Sequence, residues 1–503
     1  MLATSLKSVL VLQLALGFIS SVSGEQQVFQ APSSASVTSQ LDSAVKEKIA
    51  IIGAGAGGSS AAYYLQKYSD YNYDITVFER NDYVGGRTTT VNVHDDPRWP
   101  VELGASIFVK ENLNLMAAVK EFSLDLKATD LGRVKRMDNI TVDDSFGIWN
   151  GQSFIFDAPS DSSWKNIGKM LWRYGISPIR ARNLAKKSVG QFLKYYSPVY
   201  FPFKDLTDTV EDSGLVELTS QSTVQYFSEH GISDLFTSQI IQAATRVNYG
   251  QNTRNFQALE ALVCIAADEG LNINGGNWQI FDSMLKSSAA DIRLNTAVSE
   301  ISAASDSGKW TIITDTGSEE FDQIIIAAPY HQTNIKGLAL PIKEVQYMTL
   351  HVTLIASTKR LSPKYFGLQD SAVVPTMVLT TMPEKGASHM PPLFNSISIT
   401  KFIPELNQYV YKIFSSSRIT PSFLQLLFES GAEFPWIYEK VWKPYPRMDP
   451  LSQFQNWKVD EGGIWYLNGI EQFISTMETS SLAGANVAAL IVGDTNKTII
   501  SVP

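Results

Sequence analysis

A turn of glycines between two apolar runs is the part of this chain best suited to chemistry. Lys48-Ile-Ala-Ile-Ile-Gly53-Ala-Gly55-Ala-Gly57-Gly58 breaks from isoleucine into glycine, and Tyr73-Asp-Ile-Thr-Val-Phe-Glu79-Arg80 is a second apolar run that ends in an acid. Read as strand, turn, helix and strand, the pattern suits a dinucleotide. Bare glycine backbone lets a pyrophosphate come close, a helix N-terminus faces its charge, and Glu79, about twenty residues beyond the turn, can accept hydrogen bonds from ribose hydroxyls. A carboxylate there would repel a 2′-phosphate. Gly85-Gly86-Arg87-Thr88 offers a second bare stretch of backbone, and Val101-Glu102-Leu-Gly104-Ala105-Ser106 a third run of small residues.

To hold those groups, residues 48–52 and 75–78 must be strands buried on both faces of a parallel sheet. The helix between them presses Ser59, Ala61 and Ala62 against the sheet and continues that face at Leu65. Residues 162–192 read as two helices, with Trp164, Ile167 and Leu171 on one face, a break at 175–178, and Ala185, Val189 and Phe192 resuming the pattern. Helical signals recur through 216–267, including the polar-aromatic turn Arg246-Val-Asn248-Tyr249-Gly250-Gln251. From residue 292 the spacing predicts strands at 292–294, 297–301, 310–314 and 321–329, then a second, antiparallel set at 345–357, 373–381, 397–402 and 409–415. A closing turn leads into Met477-Glu478-Thr479-Ser480, the start of a helix whose free N–H groups could face a cofactor.

The chain has 503 residues, more than the roughly 250 to 300 that one core usually serves, so two intertwined domains are expected. Apolar residues make up 44 % and charged residues 18 %, with 25 Phe, 20 Tyr and 10 Trp, which excludes a disordered chain and suits apolar pockets. A net charge of -9 argues against a nucleic-acid ligand, which calls for a basic stripe. The densest basic run, Arg180-Ala-Arg182-Asn-Leu-Ala-Lys186-Lys187, reads as a solvated helix face, with a peripheral membrane contact as the alternative.

The first 24 residues have the layout of a secretory signal: Lys7, an apolar run over 8–19, then small residues. That run is shorter than the ~20 residues a spanning helix needs. Residues 25–46 read as a polar linker, and Asn139-Ile-Thr141 and Asn496-Lys-Thr498 are glycosylation tripeptides that fit a secretory route to a lysosome, a vacuole or the cell exterior. The lone cysteine, Cys264, reads as a buried and inert thiol, and the cofactor is expected to be held without a covalent bond. His94, His230, His331, His351 and His389 are scattered, so no metal site is expected.

With the late return to the sheet, the second glycine pair and residues 101–106 resemble the flavin domain shared by amine oxidases and their relatives, which favours FAD over NAD. A tighter likeness runs from residue 48 to about 492. It is carried by residues 48–60, Val247-Asn-Tyr-Gly-Gln251, Gly275-Gly276-Asn277, and Tyr466-Leu-Asn-Gly-Ile-Glu471 running into Met477-Glu478. Together these resemble the prenylcysteine oxidase (prenylcysteine lyase) family.

The resemblance implies an α/β fold: a Rossmann-like FAD domain, discontinuous over 47–110, 270–330 and 456–495, with a mixed α+β substrate domain at 111–269 and 331–455. It implies FAD contacts at Gly53, Gly55, Ala56, Gly57, Gly58, Glu79, Arg80, Gly85, Gly86, Arg87, Gly104 and Ala105. Val298 would lie by the adenine or be a core valine, and Glu478, Thr479 and Ser480 would lie near the flavin ring. The implied activity is oxidation of a small lipophilic substrate, farnesyl- or geranylgeranyl-cysteine, by O2 and water to a prenyl aldehyde, cysteine and hydrogen peroxide. Hydride transfer from a thioether needs an apolar slot more than a side-chain base. Arg246, Asn248 and Tyr249 are the candidates for substrate contact, Arg246 either through the cysteine carboxylate or as a structural ion pair. Another FAD-dependent oxidase, acting on an amine or a secondary metabolite, and a flavoprotein or prenyl carrier without turnover are the competing readings. Oligomeric state is not legible.

Overall fold

In a computed structural model of the chain, the described residues are 46–128, 145–158, 163–266, 270–304 and 308–494. The secretory signal and both glycosylation tripeptides lie outside them.

A six-stranded sheet forms the base of the molecule. Its order is Lys458–Asp460, Ile464–Tyr466, Gln323–Ile326, Glu47–Ile52, Tyr73–Phe78, Asp291–Arg293. All neighbours are parallel except the first pair. The opening strand sits between two others, which is why Ile49, Ala50 and Ile51 are wholly buried and why its sequence lacks polar alternation. A three-stranded sheet of Glu300–Ala303, Trp310–Thr314 and Gly317–Phe321 packs beside it through Ile312, Phe321 and Trp310. The strand expected at 297 begins at Glu300, leaving Val298 in the preceding loop.

Two helices cover one face of the base sheet, Ala56–Ser69 after the glycine turn and the last helix, Met477–Asp494. They approach so closely that a Cβ on Gly484 would stand 2.4 Å from the Gly57 carbonyl oxygen, and the Ser60 and Ser481 hydroxyls meet at 2.8 Å. The apolar stretch near 482–492 is therefore a packed core helix, and among the described residues no helix is long and apolar enough to cross a membrane.

A seven-stranded sheet stands above this base, in the order Trp436–Trp442, Leu350–Ser357, Gln408–Ser415, Ser396–Ile403, Met377–Thr380, Phe146–Trp149, Phe154–Ala158. It is antiparallel except where Met377–Thr380 meets Phe146–Trp149. The expected strands at 345–357, 373–381, 397–402 and 409–415 take their places in it. Phe146–Trp149, Phe154–Ala158 and Trp436–Trp442 are additions that the sequence reading did not anticipate. Helices Ser163–Tyr174 and Ala258–Ala266 both pack on Ser177–Phe192, whose Arg180, Lys186 and Lys187 face solvent.

Candidate active site

The opening strand ends at Ile52, and Gly53 turns the chain with φ +110°, a region closed to residues with a Cβ. Its amide donates to the Phe78 carbonyl at 2.8 Å, so the turn is tied to the end of the next strand. Gly55 and Gly85 then form a bridge, with the Gly85 amide donating to the Ala54 carbonyl at 2.8 Å. A Cβ on Gly86, at φ +59°, would stand 3.2 Å from the Gly55 Cα. The two glycine stretches therefore lie against each other and share one wall.

That wall belongs to a cavity of about 520 Å³. Gly53, Gly55, Ala56, Gly57, Arg80, Gly85, Gly86, Arg87, Gly104 and Ala105 all line it. The helix that starts at Ala56 has Gly55 as its N-cap with no side-chain cap bond, and no acid in its first turn. Its first amides are thus left for an outside anion, as a pyrophosphate requires. Glu79, 5 % exposed, accepts from the Ala54 amide at 2.9 Å through Oε2 and from the Asn81 amide at 2.9 Å through Oε1. Oε1 also takes the Asn81 side-chain amide, so it is Oε2, with one donor, that keeps acceptor capacity. Val298 and Thr296 line the same end. These residues fit a dinucleotide. Gly58 does not reach the cavity; a Cβ there would fall 1.9 Å from the Gly53 carbonyl oxygen, so its role is to let the helix sit on the turn.

Farther along, Arg87 places its guanidinium across both oxygens of Glu471, with Nη1 at 2.8 Å from Oε2 and 2.9 Å from the Pro444 carbonyl. Burial opposes the charge on Glu471, and Arg87 more than offsets it, holding the carboxyl below its ordinary range. Tyr347 donates to the same carboxylate at 2.8 Å. The far end of the cavity is apolar and aromatic, lined by Ile107, Val263, Trp442, Tyr445 and Met477, with Asn248, Tyr249 and Cys264 among them. The Tyr249 hydroxyl donates to the Ser475 carbonyl at 3.0 Å and its ring meets Tyr445 edge-on. Cys264 is 1 % exposed, and burial pushes its thiol well above the ordinary range. Beneath it Glu260 is fully buried, and burial raises its carboxyl to about 8 against the weaker opposing effects of Tyr249 and the Ser475 backbone.

At the last helix, Met477 and Ser480 line the cavity but Glu478 and Thr479 do not. The Glu478 carboxylate accepts from the Asn114 and Leu115 amides at 2.8 and 3.0 Å and from the Tyr196 hydroxyl at 2.6 Å, so it caps helix Leu113–Glu121 instead. Thr476 Oγ1 accepts from the Thr479 amide at 3.1 Å while Thr479 Oγ1 accepts from the Thr476 amide. The expected free amides at this helix start are therefore partly taken by the helix's own residues. Arg246 also lies off the cavity. Its guanidinium is buried against the seven-stranded sheet, bonded to Thr380 Oγ1 at 2.9 Å and to the Phe394 carbonyl at 3.2 Å, and burial lowers it to about 10. Among the described residues no group of three or more His, Cys, Asp or Glu could hold a metal.

Residues 158–502 match the prenylcysteine lyase family. The chain belongs to that family. Residues 51–122 also match an NAD(P)-binding Rossmann-like domain. Among curated relatives, farnesylcysteine lyase of Arabidopsis thaliana is 29 % identical, with 92 % of this chain and 91 % of that one covered. Prenylcysteine oxidase 1 of Bos taurus is also 29 % identical, with 88 % of each covered. Among solved structures, cyclohexylamine oxidase from Brevibacterium oxydans IH-35A superposes with TM-score 0.58 at 17 % identity, covering 90 % of this chain and 100 % of that one. A putrescine oxidase bound to putrescine gives 0.54 at 15 % identity, with 89 % and 99 % covered. These last two establish the fold, which is the Rossmann-like α/β type that the resemblance implied.

Within this prenylcysteine lyase family member, the motif Gly275-Gly276-Asn277 acquires a physical role. The Asn277 amide donates to Glu102 Oε1 at 2.7 Å and its Nδ2 to the Ala105 carbonyl at 2.8 Å, which fixes the 102–105 wall of the cavity. A second cavity, also about 520 Å³, opens on the other side of that wall, under the seven-stranded sheet, and shares Ile107 with the first. Sequence reading missed Glu471, whose only signal was its place in Tyr466-Leu-Asn-Gly-Ile-Glu471, and Lys412, which looks like an ordinary strand lysine.

Proposed function

We propose that the chain is an FAD-dependent thioether oxidase that cleaves farnesyl- or geranylgeranyl-L-cysteine. The thioether, O2 and water become prenyl aldehyde, cysteine and hydrogen peroxide. The observation that carries this reading is the continuity of one cavity from Glu79, suited to a ribose, to an apolar end at Val263, Trp442 and Met477, with a second cavity adjoining it at Ile107. The relatives' names, farnesylcysteine lyase and prenylcysteine oxidase 1, supply the substrate class.

In this reading Glu79 holds the ribose, the 53–57 turn and the amides of Ala56 and Gly57 hold the pyrophosphate, Gly85 and Gly86 close over it, and Val298 flanks the adenine. FAD bound there supplies the hydride acceptor and passes the electrons to O2. The chain's part is positioning: Arg87, locked by Glu471, ties the second glycine stretch to the motif before the last helix, and the aromatic end excludes water from the reacting carbon. FAD would be held without a covalent link, Cys264 being buried with its thiol pushed well above the ordinary range. We assign residues 47–110, 270–330 and 456–495 to the FAD domain and 111–269 and 331–455 to the substrate domain. The secretory route rests on residues 1–24 and the two tripeptides.

The test is anaerobic addition of S-farnesyl-L-cysteine to the purified flavoprotein. Bleaching of the flavin absorbance, followed on readmission of air by one peroxide and one aldehyde per thioether consumed, is the expected result. Peroxide from monoamines or polyamines and none from farnesylcysteine would reassign the substrate, and an unbleached flavin would leave a binding protein.

A further inference from the structure

The second cavity contains a buried lysine and a buried glutamate that the cofactor reading does not use. Lys412 is 8 % exposed, in the strand Gln408–Ser415. Its ammonium donates to the Glu102 carbonyl at 3.0 Å and to Ser106 Oγ at 2.8 Å, which occupies two of its three N–H groups. Glu102 accepts from the Asn277 amide through Oε1, while its buried Oε2 has no partner. The two charges attract each other, yet one N–H of the ammonium and one carboxylate oxygen keep hydrogen-bonding capacity in the same cavity. A buried polar atom without a hydrogen bond is costly, so a ligand that supplies one is favoured.

Arg98, Lys127 and Lys401 also line the space; Arg98 is paired with Asp96 and Lys127 with Asp125, while Lys401, over the Trp99 ring, adds a cation to that of Lys412. An acidic group is therefore favoured beside these two lysines. Val247, Met377 and Phe414 supply apolar wall in the same space. Burial pushes Lys412 down and Glu102 up, each opposed by the attraction of the other, and a zwitterionic guest would add to that attraction.

Resting on the function proposed above, we propose that the second cavity receives the amino-acid head of the thioether substrate, Lys412 binding its α-carboxylate and the free oxygen of Glu102 its α-ammonium. The wall of residues 102–107, shared between the cavities at Ile107, then sets the head against one side and the cofactor against the other. This gives Lys412 the carboxylate role for which Arg246 was the candidate in the sequence.

The test compares the flavin-loaded full chain with Lys412→Met, Lys412→Arg and Glu102→Gln. Binding is read by calorimetry with S-dodecyl-L-cysteine, a saturated thioether not activated for hydride loss, and with S-dodecylcysteamine, which lacks the carboxylate. Wild-type protein should bind the cysteine compound at least about tenfold more tightly, and Lys412→Met should abolish that difference while binding the cysteamine compound unchanged. Lys412→Arg should restore part of the preference, and Glu102→Gln should weaken the free amine but not its N-acetyl form. Should Lys412→Met fail to fold, the Arg and Glu102→Gln variants still decide. Equal preference for the carboxylate in wild type and Lys412 variants overturns the assignment, even if farnesylcysteine is oxidised. A Lys412-dependent preference in a protein that oxidises no prenylcysteine upholds this head site and refutes the reaction instead.

Discussion

Arg87 and Glu471 are joined through both ends of a guanidinium and both oxygens of a carboxylate, tying the second glycine pair to the motif that precedes the last helix. Glu471 is almost wholly buried in this pair. Removing one partner leaves a buried charge alone, which typically costs about 3–5 kcal/mol, whereas replacing both by apolar groups can be nearly neutral. Glu471→Gln should therefore lower the melting temperature more than the double change Arg87→Met with Glu471→Met. Scanning calorimetry decides; a double variant as unstable as the single one would mean the pair is not the source of the loss.

Glu79→Gln keeps the side chain's shape and one acceptor but removes the charge that makes its ribose bonds strong. FAD retention is expected to fall about tenfold, read as the ratio of flavin to protein absorbance after gel filtration. A variant that leaves the column fully loaded removes Glu79 from the binding site.

Gly484→Ala tests the contact between the two helices. The new Cβ would meet backbone, the Gly57 carbonyl at 2.4 Å and the Ala61 amide at 2.7 Å, so the helices must separate. Overpacking of this kind costs about 1–3 kcal/mol. The melting temperature and flavin retention should fall together, because the displaced helix carries Ala56 and Gly57; a fall in stability with full flavin loading would separate packing from the cradle.

Glu260 makes stability depend on pH. Burial raises its carboxyl from the ordinary 4.5 to about 8, so the folded chain holds this proton more firmly than the unfolded one. Its stabilising contribution is complete below pH 4.5 and is lost as pH rises through about 8, at up to about 1.4 kcal/mol per pH unit. Glu260→Gln should flatten the loss of melting temperature between pH 5 and 8. Parallel curves for the two proteins would show that the group ionises elsewhere or not at all.

How much of this could be read in advance follows from how far each partner lies along the chain. Glu79 was legible because one strand–helix–strand unit fixes both the glycine turn and the acid that faces it. Glu478 was not, since a carboxylate at the start of one helix can serve another, and its partner Asn114 is 364 residues away. Arg246 looked like a ligand for an anion because sequence shows its charge but not Thr380 and Phe394, which consume its donors. Lys412 was passed over for the opposite reason. A lysine in an alternating strand normally faces water, but Gln408–Ser415 is central in its sheet and covered on both faces. The long parallel elements declared themselves through unbroken isoleucine and valine, while Trp436–Trp442, with alternate residues at the surface, is an edge strand whose place only the assembled sheet supplies.

The base sheet draws its strands from distant stretches of chain, and Ile464–Tyr466 is added next to Gln323–Ile326 only near the end. Leu467, Glu471 and Ser480 of that late portion border the same hollow as Gly53. The hollow is therefore walled only when the glycine turn and the late helix have come together, and folding of the first strand–helix–strand unit by itself leaves it without one side.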